Sequence, residues 1–191
     1  WQTYHQMMER RGVTAQLAKI EMRRRLTLIG TMMLHKGEVD GLICGTWGST
    51  AWHLAFVDQV IGKRVGVHTY ACMNGLILPD RQVFLVDTHV NHDPTAEQLA
   101  EITVLAADEL KRFGVQPKAA LLSHSNFGSS NHPSAVKMRD ALALIRQRAP
   151  WLEVDGEMHG DTALDAAYRA QLMPRSTLTG AANLLVLPSI D

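Results

Sequence analysis

Nine consecutive residues carry most of the chemistry open to this 191-residue chain: Ser123, His124, Ser125, Asn126, Phe127, Gly128, Ser129, Ser130 and Asn131. Four are serine and two asparagine, and they lie between the run Lys118–Leu122 and Pro133. The run reads as a strand, and a proline at 133 suits the first position of a helix. Strand, serine- and glycine-rich turn and helix start bring N–H groups and hydroxyls towards one point, which binds phosphate or carboxylate without a formal positive charge. Gly128 would let the backbone approach a ligand closely. The same serines could serve only to cap the following helix. His124, inside the loop, could donate to a ligand or act as an acid or base, and a structural role fits its position as well.

Two further loops are polar. Gly45-Thr46-Trp47-Gly48-Ser49-Thr50 repeats the arrangement in a shorter form after the apolar run Leu42–Cys44. Its candidate contacts are Thr46, Trp47 and Ser49, with Trp47 either stacked on a ligand or packed. The segment Asp155-Gly156-Glu157-Met158-His159-Gly160-Asp161 reads as a loop with three carboxylates and one imidazole. These are acceptable metal ligands, but the spacing is neither HExxH nor an EF-hand, and Asp161 is also a natural N-cap. No metal site is expected. Asp155, Glu157 and Asp161 are placed beside a ligand cleft, with Asn183 near the end of the last strand. The cluster His89, Asn91, His92 and Asp93 reads as turn residues. No G-x-G-x-x-G, P-loop or G-x-S-x-G motif occurs, so dinucleotide, ATP and serine-hydrolase sites are not signalled.

The elements that position these loops alternate. Apolar residues at Ala18, Met22, Leu26, Ile29 and Met33 predict one helix over 14–35, and Leu42–Cys44 a short strand. Residues 65–78 and 82–86 predict a hairpin around Leu78-Pro79-Asp80-Arg81. Asp93-Pro94 is an N-cap candidate for a helix through Leu99, Ile102, Ala106, Leu110 and Phe113 that ends at Gly114. After the strand Lys118–Leu122 come a helix from Pro133 to Pro150, a strand at 151–154, a helix at 162–172 and a last strand at 183–187. The fold class is α/β, with a mixed, mostly parallel sheet and flanking helices. Ligands gather beyond the carboxyl ends of strands in such sheets.

Composition narrows the partners. Nineteen Lys and Arg balance 19 Asp and Glu, so the basic excess of a nucleic-acid binder is missing. No apolar run approaches the ~20 residues that span a bilayer, and no signal peptide is visible. The two cysteines, Cys44 and Cys72, have apolar flanks and read as reduced core thiols, pointing to a cytoplasmic protein. The chain starts at Trp1 and stops just after a strand-like run, which suggests a piece incomplete at both ends.

Taken in order, Asp40-Gly41-Leu42-Ile43-Cys44-Gly45, Asn91-His92-Asp93-Pro94-Thr95-Ala96-Glu97, Leu121-Leu122-Ser123-His124-Ser125, Asp155-Gly156-Glu157 and Ala182-Asn183-Leu184-Leu185-Val186 resemble the phosphate acetyl/butyryltransferase family. Val60-Ile61-Gly62-Lys63-Arg64, the 123–131 loop and Val154–Asp161 are most similar to the C-terminal transacetylase-like domain of hybrid NADP-dependent malic enzymes. The resemblance implies an isocitrate/isopropylmalate dehydrogenase-like fold with two lobes, roughly 1–65 and 66–191, around a cleft that holds CoA or acetyl-CoA. It implies a homo-oligomer built on a dimer, a domain that senses acetyl-CoA, and an N-terminal malic-enzyme domain on the same polypeptide. NADP and the divalent metal would belong to that absent domain. Active transacetylases carry an arginine in the helix after the first glycine loop, where this sequence has Ala55. Near the start, only Arg10 and Arg11 lie close to a second expected arginine, and the family's catalytic serine, arginine and aspartate fall beyond Asp191. Acyl phosphate chemistry needs cationic clamps on the phosphoryl group. Loss of one argues against turnover and leaves CoA binding intact. The expectation is an acetyl-CoA-binding regulatory domain; the alternatives are a working phosphate acetyltransferase and a purely structural dimerisation module.

Overall fold

After a first short helix, α1 (Gln2–Met8), the periodicity over 14–35 breaks into two helices rather than one. In the computed structural model, which describes residues 1–190, α2 (Ala15–Arg24) opens with the Thr14 hydroxyl accepting from the Leu17 N–H. It ends at Arg25, whose extended backbone (φ −103°, ψ 92°) restarts the chain as α3 (Leu26–His35). One extended residue resets the helical phase. The buried face therefore moves to Thr27, Leu28, Thr31 and Met32, leaving Leu26 80% exposed. With α4 (Thr50–Val60) these helices make a unit over Trp1–Gly66 around Tyr4, Met8, Ala18, Leu28, Met32 and Val60.

The strand expected at Leu42–Cys44 does not form. No strand among the described residues of this unit is available to pair with it, and Ile43 stands fully exposed. Leu42 instead reaches α3 at Gly30, where an added Cβ would lie 2.6 Å from the Leu42 Cδ1. That approach accounts for a glycine inside a helix, where it costs about 1 kcal/mol against alanine.

The second unit, Val67–Asp191, is the α/β part. β1 (Met73–Ile77) and β2 (Gln82–Val86) form the expected antiparallel hairpin, closed by the Leu78 N–H donating to the Arg81 carbonyl (2.9 Å). β1 starts at Met73 rather than 65 because its ladder with β2 begins at the Met73–Val86 pair. Then follow α5 (Ala96–Arg112), β3 (Lys118–Leu122), α6 (Pro133–Arg148), β4 (Glu153–Met158), α7 (Gly160–Leu164), α8 (Ala166–Leu172) and β5 (Leu184–Val186). The sheet order is β1-β2-β5-β3-β4, parallel except for the hairpin, so the last strand lies in the middle of the sheet.

Strand alternation sends Ala119, Leu121, Leu184 and Val186 into a core with Leu99, Ile102 and Leu110 of α5 and Met138 and Ile145 of α6. Ala120 and Leu185 enter a second core with Val83, Met158, Ala163 and Leu178. Each fully buried leucine or isoleucine contributes about 2 kcal/mol of transfer free energy.

Two caps differ from expectation. α5 is opened by Thr95, not Asp93: the Thr95 hydroxyl accepts from the Gln98 N–H (3.3 Å) and the Gln98 side chain accepts from the Thr95 N–H (2.9 Å). This reciprocal box satisfies two donors at once, while Asp93 pairs with Lys137. The helix expected over 162–172 is interrupted at Asp165, whose carboxylate accepts from the Ala167 and Tyr168 N–H groups and caps α8.

Asp87, just after β2 and 2% exposed, organises the turn that follows. Its carboxylate accepts from the N–H groups of Cys72, His89, Val90 and Asn91 and from the Asn91 side chain. Burial by itself would raise its pKa, but the bonds from His89, Asn91 and Cys72 outweigh burial and hold the carboxyl below its ordinary value. A depressed folded-state pKa gives stability that is present above the unfolded value of about 4 and is lost as pH falls through the folded one. Urea unfolding from pH 7 to pH 3 should therefore show a loss of stability below about pH 4 that Asp87→Asn makes shallower.

Candidate functional site

The loop from Ser123 to Asn131 leaves the carboxyl end of β3 and enters α6, as its position in the sequence requires. Its donors turn largely inward. Ser123 N–H donates to the Met158 carbonyl (2.9 Å) and Phe127 N–H to the Glu157 carbonyl (2.7 Å), fastening the loop to β4. The Ser123 hydroxyl accepts from the Ser125 N–H (3.2 Å), and the Ser129 hydroxyl from the Asn126 N–H (3.2 Å). The Ser125 hydroxyl donates to Glu157 Oε1 (3.0 Å), and since it carries one proton, the 3.0 Å bond between the two serines has Ser129 as donor. Gly128 N–H also donates to Glu157 Oε1 (2.8 Å). The anion this loop cradles is a carboxylate of the chain itself. The Asn126 side chain accepts from the His159 N–H (2.8 Å), and exposed His124 meets the Ser130 hydroxyl (3.2 Å) and the His132 ring edge-on (5.5 Å).

The stretch 155–161 was expected as a loop, and the structure corrects this. Asp155 and Glu157 lie inside β4, because that strand pairs with β3 as far as Met158. Both are buried. Asp155 accepts from Arg146 (3.2 Å), the Ser176 hydroxyl (2.8 Å) and the Thr177 N–H (2.8 Å), which pins the chain between α8 and β5. Glu157 accepts from Arg139 (3.0 Å) in addition to the loop. Asp161 is exposed in the first turn of α7, whose N-cap is His159. Asn183 stands at the amino end of β5, the end opposite the loops. Its side chain accepts from the Lys118 N–H (2.7 Å) and donates to the Gln116 carbonyl (2.8 Å), tying the starts of β3 and β5.

In the first unit, Ser49 caps α4 by accepting from the Trp52 N–H (3.2 Å). Thr46 adopts a left-handed backbone (φ 63°), and Trp47 is 72% exposed with its ring edge-on to Trp52 (5.5 Å). His53 holds this turn: one ring nitrogen donates to the Trp47 carbonyl (2.5 Å), leaving the other to accept from the Thr27 hydroxyl (2.7 Å). Thr46, Trp47, His53 and Thr27, but not Ser49, line a groove of about 660 Å³ with apolar walls from Leu26, Leu42, Ile43 and Trp52 and the cation of Arg24. Cys44 lies exposed in it rather than in a core, because the strand that would have buried it is not formed. Both cysteines are unpaired thiols. Among the described residues no group of three His, Cys, Asp or Glu side chains is arranged to hold a metal ion, and no helix is long and apolar enough to cross a membrane.

Residues 1–191 match the phosphate acetyl/butaryl transferase family along their whole length. The chain belongs to that family. It is 53% identical over 191 residues to an NADP-dependent malic enzyme of Salmonella typhimurium, covering all of this chain and 25% of that protein. It is 40% identical over 195 residues to a phosphate acetyltransferase of Paracoccus denitrificans, covering 98% of this chain and 61% of that one. A phosphotransacetylase from Streptococcus pyogenes superposes with a TM-score of 0.86 at 31% identity, over 98% of this chain and 58% of its own. The chain thus spans about a quarter of the malic enzymes it matches.

Several residues of this phosphate acetyl/butaryl transferase chain were missed from sequence. His53 and Thr27, which hold the Trp47 turn, are 26 positions apart and carry no shared pattern. Arg139 and Arg146 had a signal: they are seven apart on α6, and the acids they meet, Glu157 and Asp155, are two apart on β4. A helix face with two cations next to a strand with two acids is a legible pairing once both elements are recognised.

Proposed function

We propose that this chain is an acetyl-CoA-binding regulatory and oligomerisation domain of a cytoplasmic NADP-dependent malic enzyme. Malate would be oxidatively decarboxylated to pyruvate, with NADP and a divalent metal, by an N-terminal domain of the same polypeptide. The observation that carries this reading is the match of the whole chain to one quarter of the malic enzymes at about half identity. Two features support a ligand role. The groove in the first unit has a volume typical of small-molecule sites, aromatic walls able to take a flat or acyl group, and Arg24 for an anion. Exposed Ala55 on α4 stands where a transacetylase would place an arginine, which favours binding over turnover. Each unit carries candidate ligand residues of its own: Thr46, Trp47 and Ser49 in the first, and Ser123, His124, Ser125, Asn126, Gly128 and Ser129 in the second.

Coupling of this kind is worth about 1–3 kcal/mol, a five- to 150-fold change in affinity between two states. Titration of acetyl-CoA into the full-length polypeptide is expected to give saturable inhibition of NADP-dependent malate oxidation. Ser123→Ala with Ser125→Ala should weaken the apparent affinity for acetyl-CoA about tenfold, a loss of roughly 1.4 kcal/mol. Malate oxidation that ignores acetyl-CoA at every concentration overturns the reading.

A second reading is a working phosphate acetyltransferase that moves acetyl from CoA to phosphate, releasing CoA. Identity to the Paracoccus denitrificans enzyme favours it. Acetyl phosphate formed by the wild-type protein, at a rate that Ala55→Arg increases, would establish it in place of the regulatory one.

A further inference from the structure

We propose that Glu157 is the positioning residue of the Ser123–Asn131 loop: its carboxylate fills the loop's anion seat from inside the protein and fixes the loop's shape before any ligand arrives. The inference rests on the reading that this loop contacts acetyl-CoA. Glu157 is fully buried, and its Oε1 alone accepts three bonds, from the Ser125 hydroxyl (3.0 Å), the Gly128 N–H (2.8 Å) and Arg139 (3.0 Å). Its backbone carbonyl takes a fourth from the Phe127 N–H (2.7 Å). Ser129 extends the chain by donating to Ser125, so a line of hydroxyls runs from the loop rim to the buried charge. Arg139 closes the circuit by donating to the Ser130 carbonyl (2.9 Å) at the loop's exit.

The second oxygen, Oε2, is buried and has no hydrogen-bond partner among the described residues. A buried carboxylate is a poor source of stability even when paired, and one with an unsatisfied oxygen is poorer. What an apolar side chain could not supply is a fixed acceptor that draws a backbone N–H, a hydroxyl and a guanidinium to one point. Those are the donors that phosphate-binding loops offer to a ligand, and here a strand of the same sheet consumes them. The ligand therefore meets the outer side of an already shaped loop, and binding does not bear the cost of ordering it.

Amide hydrogen exchange on the ligand-free full-length polypeptide tests this directly. In the wild type, the Gly128 amide is expected to exchange at least tenfold more slowly than an unstructured amide. Glu157→Ala should remove that protection while leaving the α5 amides unchanged. Glu157→Gln keeps an acceptor oxygen for Ser125 and Gly128 and should retain most of it. Unprotected Gly128 in the wild type overturns the proposal, even if Glu157→Ala fails to fold; so does protection that is equal in the wild type and the alanine variant. Acetyl-CoA isotherms separate the two readings. Affinity at least tenfold weaker in Glu157→Ala and within about threefold of wild type in Glu157→Gln supports the positioning role. Wild-type affinity in Glu157→Ala overturns that role and leaves the ligand reading standing. A wild type that binds no acetyl-CoA, with Gly128 protection still dependent on Glu157, removes the ligand reading and keeps the loop-shaping one.

Discussion

Replacing Arg169 with methionine is expected to lower the unfolding free energy by about 4 kcal/mol, a large part of the 5–15 kcal/mol that holds a typical domain together. Arg169 is 2% exposed, and its guanidinium is met by carbonyls: those of Thr162 (3.1 Å), Ala163 (3.2 Å), Leu178 (3.2 Å) and Gly180. One flat group with donors on both arms thus ties the second half of α7 to the segment that leads into β5. Methionine fills a similar volume but donates nothing. The Ala163 carbonyl would keep its bond from the Ala182 N–H (2.9 Å), so the loss falls mainly on the other three. Each stranded buried carbonyl costs about 1–3 kcal/mol, reduced by whatever water can enter. Lysine keeps the charge but lacks the planar fork and should recover less than half of the loss. Equilibrium urea denaturation reads both variants; a methionine midpoint equal to the wild type would mean that these carbonyls find other donors.

Elements whose boundaries are set by local chemistry were legible in the sequence. β3 was readable as Lys118–Leu122, and α6 from Pro133, because an apolar run and a proline need no distant partner to declare themselves. The hairpin was readable from its proline turn. What escaped depended on residues far along the chain. Asp155-Gly156-Glu157 looks like a loop because isolated strands do not carry two carboxylates; Arg146 and Arg139 from α6, with donors from Ser125, Gly128, Ser176 and Thr177, make them tolerable there. Leu42–Cys44 looks like a strand because it is apolar and short, yet a strand exists only when another pairs with it. The break at Arg25 has no local signal: neither glycine nor proline marks it, and the tertiary packing of Leu28 and Met32 decides the phase of α3.

The candidate site divides along the same line. That Ser123–Asn131 gathers donors was readable, because composition and the following helix dictate it. That the gathered anion is Glu157 was not, since the two meet 32 and 29 positions apart, at Ser125 and Gly128. Ser49 and Asn183 show the converse. Polar residues at the ends of elements are as useful for closing the backbone's own hydrogen bonds as for holding a ligand, and here both do so.

Gly156→Ala is expected to destabilise the chain by about 3–4 kcal/mol and to disorder the candidate site with it. Gly156 sits in β4 between the two buried acids at φ 148°, a conformation that side-chain-bearing residues rarely adopt. A Cβ there would lie 2.8 Å from both the Cβ and the carbonyl oxygen of Leu121 on β3. These are backbone-anchored atoms of a central strand, so no side-chain rotation can relieve the overlap. The strand must move, and the β3–β4 register already shifts between Leu121 and Leu122. Movement of β4 carries Glu157 away from Ser125 and Gly128, so acetyl-CoA affinity should fall together with stability. Gly128→Ala is the control, because Gly128 also has a left-handed backbone (φ 86°) but nothing lies within 4 Å of an added Cβ. It should cost only the conformational strain, about 1–2 kcal/mol. Urea midpoints for the two variants separate contact from strain. Equal losses would mean that β3 yields to the new methyl group, and the close approach of Gly156 to Leu121 would then not be what holds the loop over Glu157.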